Sequence, residues 1–273
     1  MHRRPQAALS AITCALSVVV LVGCGSSGTT ATPAQLVSAT SAKTTATNAK
    51  VALVGSVAAG GQSFPLKGTG AFDFAQRHGT IDLTVPQSGT ISSRIIGAVT
   101  YEKLPPQLAS RAGGKPWLKI DPAALARSSG GQFGSLSQSA DPTQVLKYLQ
   151  GASGPVTTVG KENVRGTPTT HYRTQIDVRK AAQQGAFSAA AASSFNKQFG
   201  TSTFPLEVWI DKQGRANRTS YSLKPVSGVG SFAFTQELYD FGKADVGTLT
   251  APPADQTTDI SRLIGSAPRT AGG

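Results

Sequence analysis

Phe64-Pro65-Leu66-Lys67-Gly68-Thr69-Gly70-Ala71-Phe72-Asp73-Phe74 carries an apolar residue or a glycine at every second position. A period of two turns one side of an extended chain toward a core and the other toward water, so this stretch reads as a long half-buried strand. Glycines on its apolar side mark bends or the close approach of a neighbouring backbone. Before it, Val51, Leu53, Gly55 and Val57 alternate in the same way, and Gly60-Gly61 supplies the turn between the two. After it, Arg77-His78-Gly79 turns the chain into Ile81, Leu83 and Val85, which alternate again. Ser88 to Ile96 and Ala98 to Leu104 read as two further strands, Pro105-Pro106 ends the run, and Trp117 to Ile120 follows as a short strand.

The second half repeats the pattern. Val156 to Glu162 and Thr167 to Asp177 pair around Asn163-Val164-Arg165-Gly166. From Thr203, residues Leu206, Val208 and Ile210 face one way and Glu207 and Trp209 the other. Asp211-Lys212-Gln213-Gly214 then turns into Arg215 to Leu223, and Ser231 to Phe241 is the last long strand. Helices interrupt at three places. Thr32-Pro33-Ala34-Gln35 is a hydroxyl cap, a proline at the first helical position and a glutamine placed to close a capping box, predicting a helix to about Thr47. Asp141-Pro142-Thr143-Gln144 starts a second, with Val145, Leu146 and Leu149 as its apolar stripe and Gly151 as its stop. Phe187, Ala191, Phe195 and Phe199 recur every fourth residue and predict one helix from about Arg179 to Phe199, capped by Gly200.

About ten antiparallel strands with so few helices predict an α+β fold: a strongly curved antiparallel half-barrel closed by a few helices on its concave face. Such a sheet cannot fill its own interior, which needs a helix plug or a guest molecule. Phe72, Phe74, Ile81, Leu83, Val85, Val99 and Tyr101 are the expected lining of that interior, with Leu146 and Leu149 opposite on a helix. The same residues could equally form a packed core.

The 273-residue chain opens on a secretion signal. Met1-His2-Arg3-Arg4 is basic, and Ala7 to Val22 is apolar but, at about 16 residues, too short to span a bilayer. Leu21-Val22-Gly23-Cys24 closes it as a bacterial lipobox, so residues 1–23 are expected to be removed and the Cys24 thiol to carry a diacylglycerol. Residues 24–31, Cys-Gly-Ser-Ser-Gly-Thr-Thr-Ala, read as a flexible tether of about 15–18 Å. A single domain is expected over 32–260, with a disordered tail over 261–273. The only other cysteine, Cys14, leaves with the signal, which excludes a disulfide or a cysteine metal site in the mature domain. The formal charge of +12 suits anionic headgroups or acidic wall polymers, and export removes nucleic acid as a partner.

Val99-Thr100-Tyr101-Glu102-Lys103-Leu104-Pro105, Gly114-Lys115-Pro116-Trp117-Leu118-Lys119-Ile120, and Asp141-Pro142 with Leu146 and Leu149 resemble the LppX-like actinobacterial lipoproteins. So do Val159 to Gly166, Thr170-His171-Tyr172, Phe204 to Asp211 and Ala251-Pro252-Pro253-Ala254, in that order over roughly residues 32 to 260. The resemblance implies a half-barrel of the kind found in the LolA and LolB lipoprotein carriers, around an apolar cavity that takes lipids or acylated glycolipids. It carries no catalytic residues with it.

Chemistry other than lipid binding finds little support. After processing, His78 and His171 are the remaining histidines, the first in a turn and the second beside Tyr172, neither in the context of a catalytic triad. Glu162, Glu207 and Glu237 are candidates for acid–base work, but nothing local brings them together. No Cys, His and Asp spacing suits a metal, and no phosphate-binding or dinucleotide fingerprint is present. Trp117 and Trp209 could stand at a cavity mouth or clamp sheet to helix, and Lys115, Lys119, Lys212, Arg215 and Arg218 could rim an opening. The expectation is a non-catalytic, cofactor-free, monomeric lipoprotein on the outer face of the cell membrane. It would bind and transfer lipid or glycolipid and meet an export protein. The competing expectation is a wall-binding or assembly scaffold with a filled half-barrel.

Overall fold

The computed structural model describes residues 32–59, 62–86, 89–124, 141–186, 188–227 and 230–265. The expected signal and tether, Cys24, Phe187, most of the glycine- and serine-rich stretch (125–140) and residues 266–273 lie outside the described residues.

Among the described residues twelve strands form one sheet: β1 (Asn48–Ala59), β2 (Gln62–Asp73), β3 (His78–Val85), β4 (Gly89–Ile96), β5 (Val99–Lys103), β6 (Trp117–Ile120), β7 (Ala152–Val164), β8 (Thr167–Asp177), β9 (Thr203–Asp211), β10 (Ala216–Leu223), β11 (Ser231–Tyr239) and β12 (Thr257–Asp259). Their order is 12-6-5-4-3-2-1-11-10-9-8-7. Two meanders, β1 to β6 and β7 to β11, are therefore joined where the first strand pairs the eleventh, from Lys50 opposite Tyr239 to Ala58 opposite Ser231. All pairings are antiparallel except that of the three-residue β12 with β6. The fold is α+β, a large open and curled antiparallel sheet with few helices.

Register decides which side chains share the inner face. Leu53 lies opposite Gly68 and Gln236, Phe72 opposite Ala49 and Gly79, and Ile81 opposite Gly70 and Ser93. Two glycines on β2 and β3 are there for space. A Cβ at Gly70 would stand 1.9 Å from the Thr80 carbonyl oxygen, and one at Gly79 would stand 2.2 Å from the Phe72 ring. The Phe72 ring thus lies over Gly79 and covers backbone that no side chain there could protect.

Helices pack on this face. α1 (Pro33–Thr44) begins with the expected capping box: the Gln35 N–H donates to Thr32 Oγ1 at 3.3 Å and the Thr32 N–H to Gln35 Oε1 at 2.8 Å. It ends three residues before Thr47, and the Thr44 hydroxyl accepts from the Ala216 N–H at 2.8 Å, tying the helix end to β10. A four-residue helix, α2 (Pro106–Ala109), sits in the connection between β5 and β6. α3 (Thr143–Tyr148) starts where Asp141 Oδ1 accepts from the Thr143 N–H at 2.8 Å, and a 3-10 turn over Leu149–Gly151 leads into β7.

The single helix expected over Arg179–Phe199 is two, α4 (Val178–Gln183) and α5 (Ala189–Phe199). Gly185 takes the left-handed conformation at φ +78°, and the Ser188 hydroxyl accepts from the Ala191 N–H at 3.0 Å to start a new helix. A fourfold apolar spacing did not reveal that break, because Ser188 is a stronger local signal than periodicity. Gly200 caps α5 in the left-handed region as expected. α6 (Ile260–Gly265) occupies positions where a disordered tail was expected to begin.

The core joins the inner face to these helices. Val51, Phe72, Ile81, Ile95, Leu206, Val208 and Leu238 from the sheet meet Val37, Leu146, Val178 and Phe195 from α1, α3, α4 and α5, all at most 9% exposed. Each such side chain contributes roughly 1.5–3 kcal/mol on burial. Two buried amides in this core are paired: Gln236 Nε2 donates to the Pro142 carbonyl at 3.1 Å, and Gln144 donates to the Ala186 carbonyl, while Thr219 Oγ1 beside Gln236 has no partner among the described residues. Burial pushes the Tyr148 hydroxyl up to about 12 and that of Tyr221 up as well, so both stay neutral.

Candidate functional site: an apolar cavity on the inner face

The packed core does not occupy the whole inner face. α4 and α5 cover the end of β8 and the start of β9, where Phe195 meets Phe204, whereas over β1 to β5 the helix packing stays at the end that carries the β2–β3 turn, where Arg77 pairs with Asp141 ahead of α3. Toward the opposite end a cavity of about 240 Å³ remains, lined by Leu53 and Gly55 of β1, Leu66 of β2, Ile81 and Leu83 of β3, Ile91 and Ser93 of β4, Glu102 of β5, and Phe232 and Phe234 of β11. The sequence builds it in a simple way. Leucine and isoleucine occupy alternate positions of β3 and β4. Gly55 and Gly68, which face Leu66 and Leu53 across the ladder, leave room where larger side chains would meet. The two phenylalanines close the wall on β11, with the Tyr221 ring tilted against them at 5.9 Å from Phe232 and 5.7 Å from Phe234.

Beyond the cavity the same face stays apolar but opens to water. Val57 and Phe64 are register partners on β1 and β2, and Val57 also opposes Phe232. They are 37% and 39% exposed, an uncommon state for large apolar side chains that point to the inside of a sheet. Cavity and exposed pair form one continuous apolar strip running out to the β1–β2 turn.

The nine residues expected to line the interior are distributed over three environments. Ile81 and Leu83 are in the cavity wall. Phe72, Phe74, Leu146 and Leu149 are in the packed core, and Val85 is on the same face beyond Leu83, half-buried and outside the wall. Val99 and Tyr101 are on the other face of β5. Thr100, 4% exposed, opposes Ile95 and Ile120, and Glu102 opposes Ser93 and Leu118, so these two point inward. Alternation in β5 gave the two faces correctly and the wrong one as interior, because its apolar members are the outward ones. The wall residues that the expected lining left out are Leu53, Gly55, Leu66, Ile91, Ser93, Glu102, Phe232 and Phe234; Leu53, Gly55 and Leu66 stand in the alternating runs, and the others fall in stretches read only as strands. The lipidation residue Cys24 lies outside the described residues.

Larger depressions exist. One of about 620 Å³ lies against Leu36 of α1 and includes Lys161, Thr170, Tyr172, Ile210 and Lys212. It is shallow, open and mixed in polarity, with nothing that fixes a ligand in one orientation.

On the outer face the three glutamates do come together. Glu162, His171, Glu207 and Glu237 stand on β7, β8, β9 and β11, brought into line by register alone. Glu162 accepts from Trp209 Nε1 at 2.8 Å and sits 2.9 Å from His171 Nδ1. The indole of Trp209 stacks on His171 at 4.0 Å with 12° between the rings. Nε2 of His171 is 3.3 Å from Glu207 Oε2 without the alignment of a hydrogen bond. Arg173 binds Glu207, and Arg218 and Arg165 both bind Glu237, at 2.7 Å each. The Trp209 hydrogen bond and, after it, the His171 contact hold the Glu162 carboxyl below its usual range. For Glu237, burial raises the pKa, but the hydrogen bonds from Arg218 and Arg165 outweigh it and the net shift is downward. His171 thus has carboxylates at its nitrogens and an indole on its face, an arrangement that staples strands and presents no nucleophile.

The expected rim cations are elsewhere too. Lys115 donates to the Ala254 and Thr257 carbonyls, Lys119 pairs with Asp259 at 3.5 Å, Arg215 pairs with Asp211 at 2.8 Å, and Arg218 holds Glu237. Lys212 is exposed in the β9–β10 turn. Trp117 and Trp209 both lie under arginines on the outer face, with Arg94 4.7 Å and Arg218 5.2 Å from their rings, away from the cavity mouth. Among the described residues no His, Cys, Asp and Glu cluster is arranged to hold a metal ion, and no helix is long and apolar enough to cross a membrane.

No family model matches the chain. It is 29% identical over 206 residues to a Streptomyces griseus protein described as an uncharacterized 31.2 kDa protein in the rplA-rplJ intergenic region, covering 72% of this chain and 66% of that protein. It is 25% identical over 209 residues to a Streptomyces coelicolor protein named as a candidate lipoprotein, covering 72% and 62%. The chain therefore matches just under two thirds of the length of each of these relatives. Among solved structures it is similar in fold to the lipoprotein LppX of Mycobacterium tuberculosis (TM-score 0.45, 16% identity, 79% of this chain and 98% of that one) and to LprF of Mycobacterium bovis (TM-score 0.40, 15% identity, 81% and 96%).

Proposed function

We propose that this protein is a membrane-tethered, non-catalytic carrier that takes up an acyl chain of a lipid or acylated glycolipid and passes it on within the cell envelope. The observation that carries the reading is the apolar strip from the cavity wall at Ile81, Leu83 and Phe234 out to the exposed Val57 and Phe64. A chain can slide along such a strip while its headgroup stays in water. Each buried methylene contributes about 0.8 kcal/mol, so binding needs no dense set of polar contacts. At about 240 Å³ the cavity is smaller than the roughly 300–1,000 Å³ of drug-sized sites, and it suits part of one chain rather than the bodies of two or three. Further chains would rest on the open part of the strip.

The lipobox at Cys24 supports the same reading, since it would hold the domain within a short tether of the bilayer that supplies acyl chains. The Streptomyces coelicolor relative is named as a candidate lipoprotein, in line with an anchor of this kind. The packed half of the interior around Leu146 is the basis for the scaffold alternative, in which the cavity stays empty.

The full chain purified from membranes of an actinobacterial host separates the two. Native mass spectrometry is expected to show adducts that organic extraction removes, and the extracted protein is expected to take up a fluorescent acyl probe with one-to-one stoichiometry. Protein without adducts that also fails to bind the probe overturns the carrier reading.

A further inference from the structure

Among the described residues Glu102 is the one ionisable side chain in the cavity wall. Its register partner on β4 is Ser93, 3% exposed and facing the same space, and on β6 it is Leu118, 8% exposed. The remaining wall is aliphatic, aromatic or glycine, and no lysine, arginine or histidine faces the carboxyl from β3, β4, β6 or β11. Every other glutamate of the described residues is held by an arginine, an indole or a histidine, whereas Glu102 has no hydrogen-bond or ion-pair partner among them.

We propose that Glu102, with Ser93 beside it, is a specificity-determining pair that selects cargo carrying a neutral oxygen group near the buried chain, a hydroxyl or an ester, and rejects an anionic group at that position. This rests on the carrier reading of the cavity and adds a substrate class to it. The reasoning is electrostatic. A carboxyl in apolar surroundings without a cation favours its protonated form, and burial does push the Glu102 carboxyl up. A protonated carboxyl donates one hydrogen bond and accepts others, and the serine hydroxyl does both. Together they match an alcohol or an ester oxygen, as in a glyceride, a hydroxy-acyl chain or a sugar ester. A phosphate or carboxylate at the same point would meet a like charge or force an ion into a space with no counter-charge, which is costly. Register sets the pair level with Ile81, at the end of the cavity away from Val57 and Phe64, so an oxygen group bound there would lie inside the cavity with the chain running outward past Leu83 and Leu66.

Three amphiphiles with one chain, monododecanoylglycerol, dodecyl phosphate and dodecylammonium, test this by competition for an acyl probe on the delipidated full chain. The wild type is expected to favour the monoglyceride over the phosphate by about tenfold or more. Glu102→Gln keeps a neutral donor and acceptor and should hold monoglyceride affinity within about threefold. Glu102→Leu should weaken it by about 2- to 10-fold, the worth of one net hydrogen bond, and narrow the preference over phosphate. Because the carboxyl makes no bond to the protein, both variants should fold, as circular dichroism would verify. A Leu variant with the wild-type ratio overturns the proposal. So does tightest binding of dodecylammonium with loss in Glu102→Gln, since that makes Glu102 a counter-ion. If none of the three binds the wild type, the carrier reading itself fails, an outcome distinct from binding that ignores Glu102.

Discussion

Leu83→Trp puts an indole into the cavity wall and tests whether that space is where acyl chains go. Leu83 lies on the inner face of β3 opposite Ile91 and Gly68, with its side chain lining a space of about 240 Å³. The larger ring would take the volume of about two to three methylenes, each worth about 0.8 kcal/mol to a bound chain. The expected loss is about 2 kcal/mol, roughly thirty-fold in Kd for a saturated acyl probe. Stability should move the other way. A dry, unrelaxed void of this size would cost up to about 6 kcal/mol at about 24 cal/mol per Å³, and filling a fraction of it should leave Tm unchanged or raise it by a few degrees. The control is Val54→Trp on β1, where the side chain is 54% exposed on the opposite face and neither quantity should change measurably. Probe titration with delipidated protein gives Kd, and thermal circular dichroism gives Tm. A folded Leu83→Trp protein that binds the probe as tightly as wild type would show that the chain is held elsewhere, and the reasoning from this cavity would be wrong.

Thr44→Val should destabilise the protein by about 1–3 kcal/mol, because the Ala216 N–H loses its buried acceptor at 2.8 Å; urea unfolding would measure it. Gly70→Ala should cost on the order of 3 kcal/mol or more, since its Cβ would stand 1.9 Å from the Thr80 carbonyl, whereas Gly160→Ala, with no heavy atom within 4 Å, should change stability by less than about 1 kcal/mol. Glu237→Gln addresses pH. The folded-state pKa of Glu237 lies below its usual 4.5, so its contribution is present above that value and is lost as pH falls through the lower, folded one. At pH 7 the variant should be less stable by up to about 1 kcal/mol after solvent screening, and the difference should close as pH falls below 4.5 in denaturant titrations.

Local chemistry was the legible part of this fold. The capping box at Thr32 and Gln35, the αL cap at Gly200 and the alternation of β1 to β4 are interactions between residues a few positions apart, and the sequence contains them whole. Two kinds of information are not local. One is the sign of a face. β5 alternates perfectly well, but only its pairing with Ile95 and Ser93 says that Thr100 and Glu102 are the inward members. The other is cross-strand assembly. Glu162, Glu207 and Glu237 are adjacent because of a register running over five strands, and no spacing along the chain encodes it. The cavity wall is a mixed case. Leu66, Ile81 and Leu83 were readable as positions on an apolar face, yet whether they met a helix or a void depended on how far α3 and the 3-10 turn after it reach across the sheet. The helix stops at Tyr148, whose ring meets Tyr221, and Tyr221 in turn meets Phe232 and Phe234 of the wall.

The seam between β1 and β11 governs how the chain can fold. Residues 50–58 gain their second partner only when residues 231–239 arrive, so the central ladder of the sheet is also its most remote pairing along the chain. Contacts of that separation are slow to form, because a long loop must close before any of them stabilises the chain. While a chain is delivered from its amino end, the β1–β6 meander would stand for a time with the Val51, Leu53 and Val57 side of β1 open and one unpaired backbone edge. The apolar strip that suits an acyl chain is, during those seconds, the surface most exposed to wrong partners. A lipid or a chaperone that covers it early would hasten the correct closure, and hydrogen exchange should find the β1–β11 amides the last to gain protection.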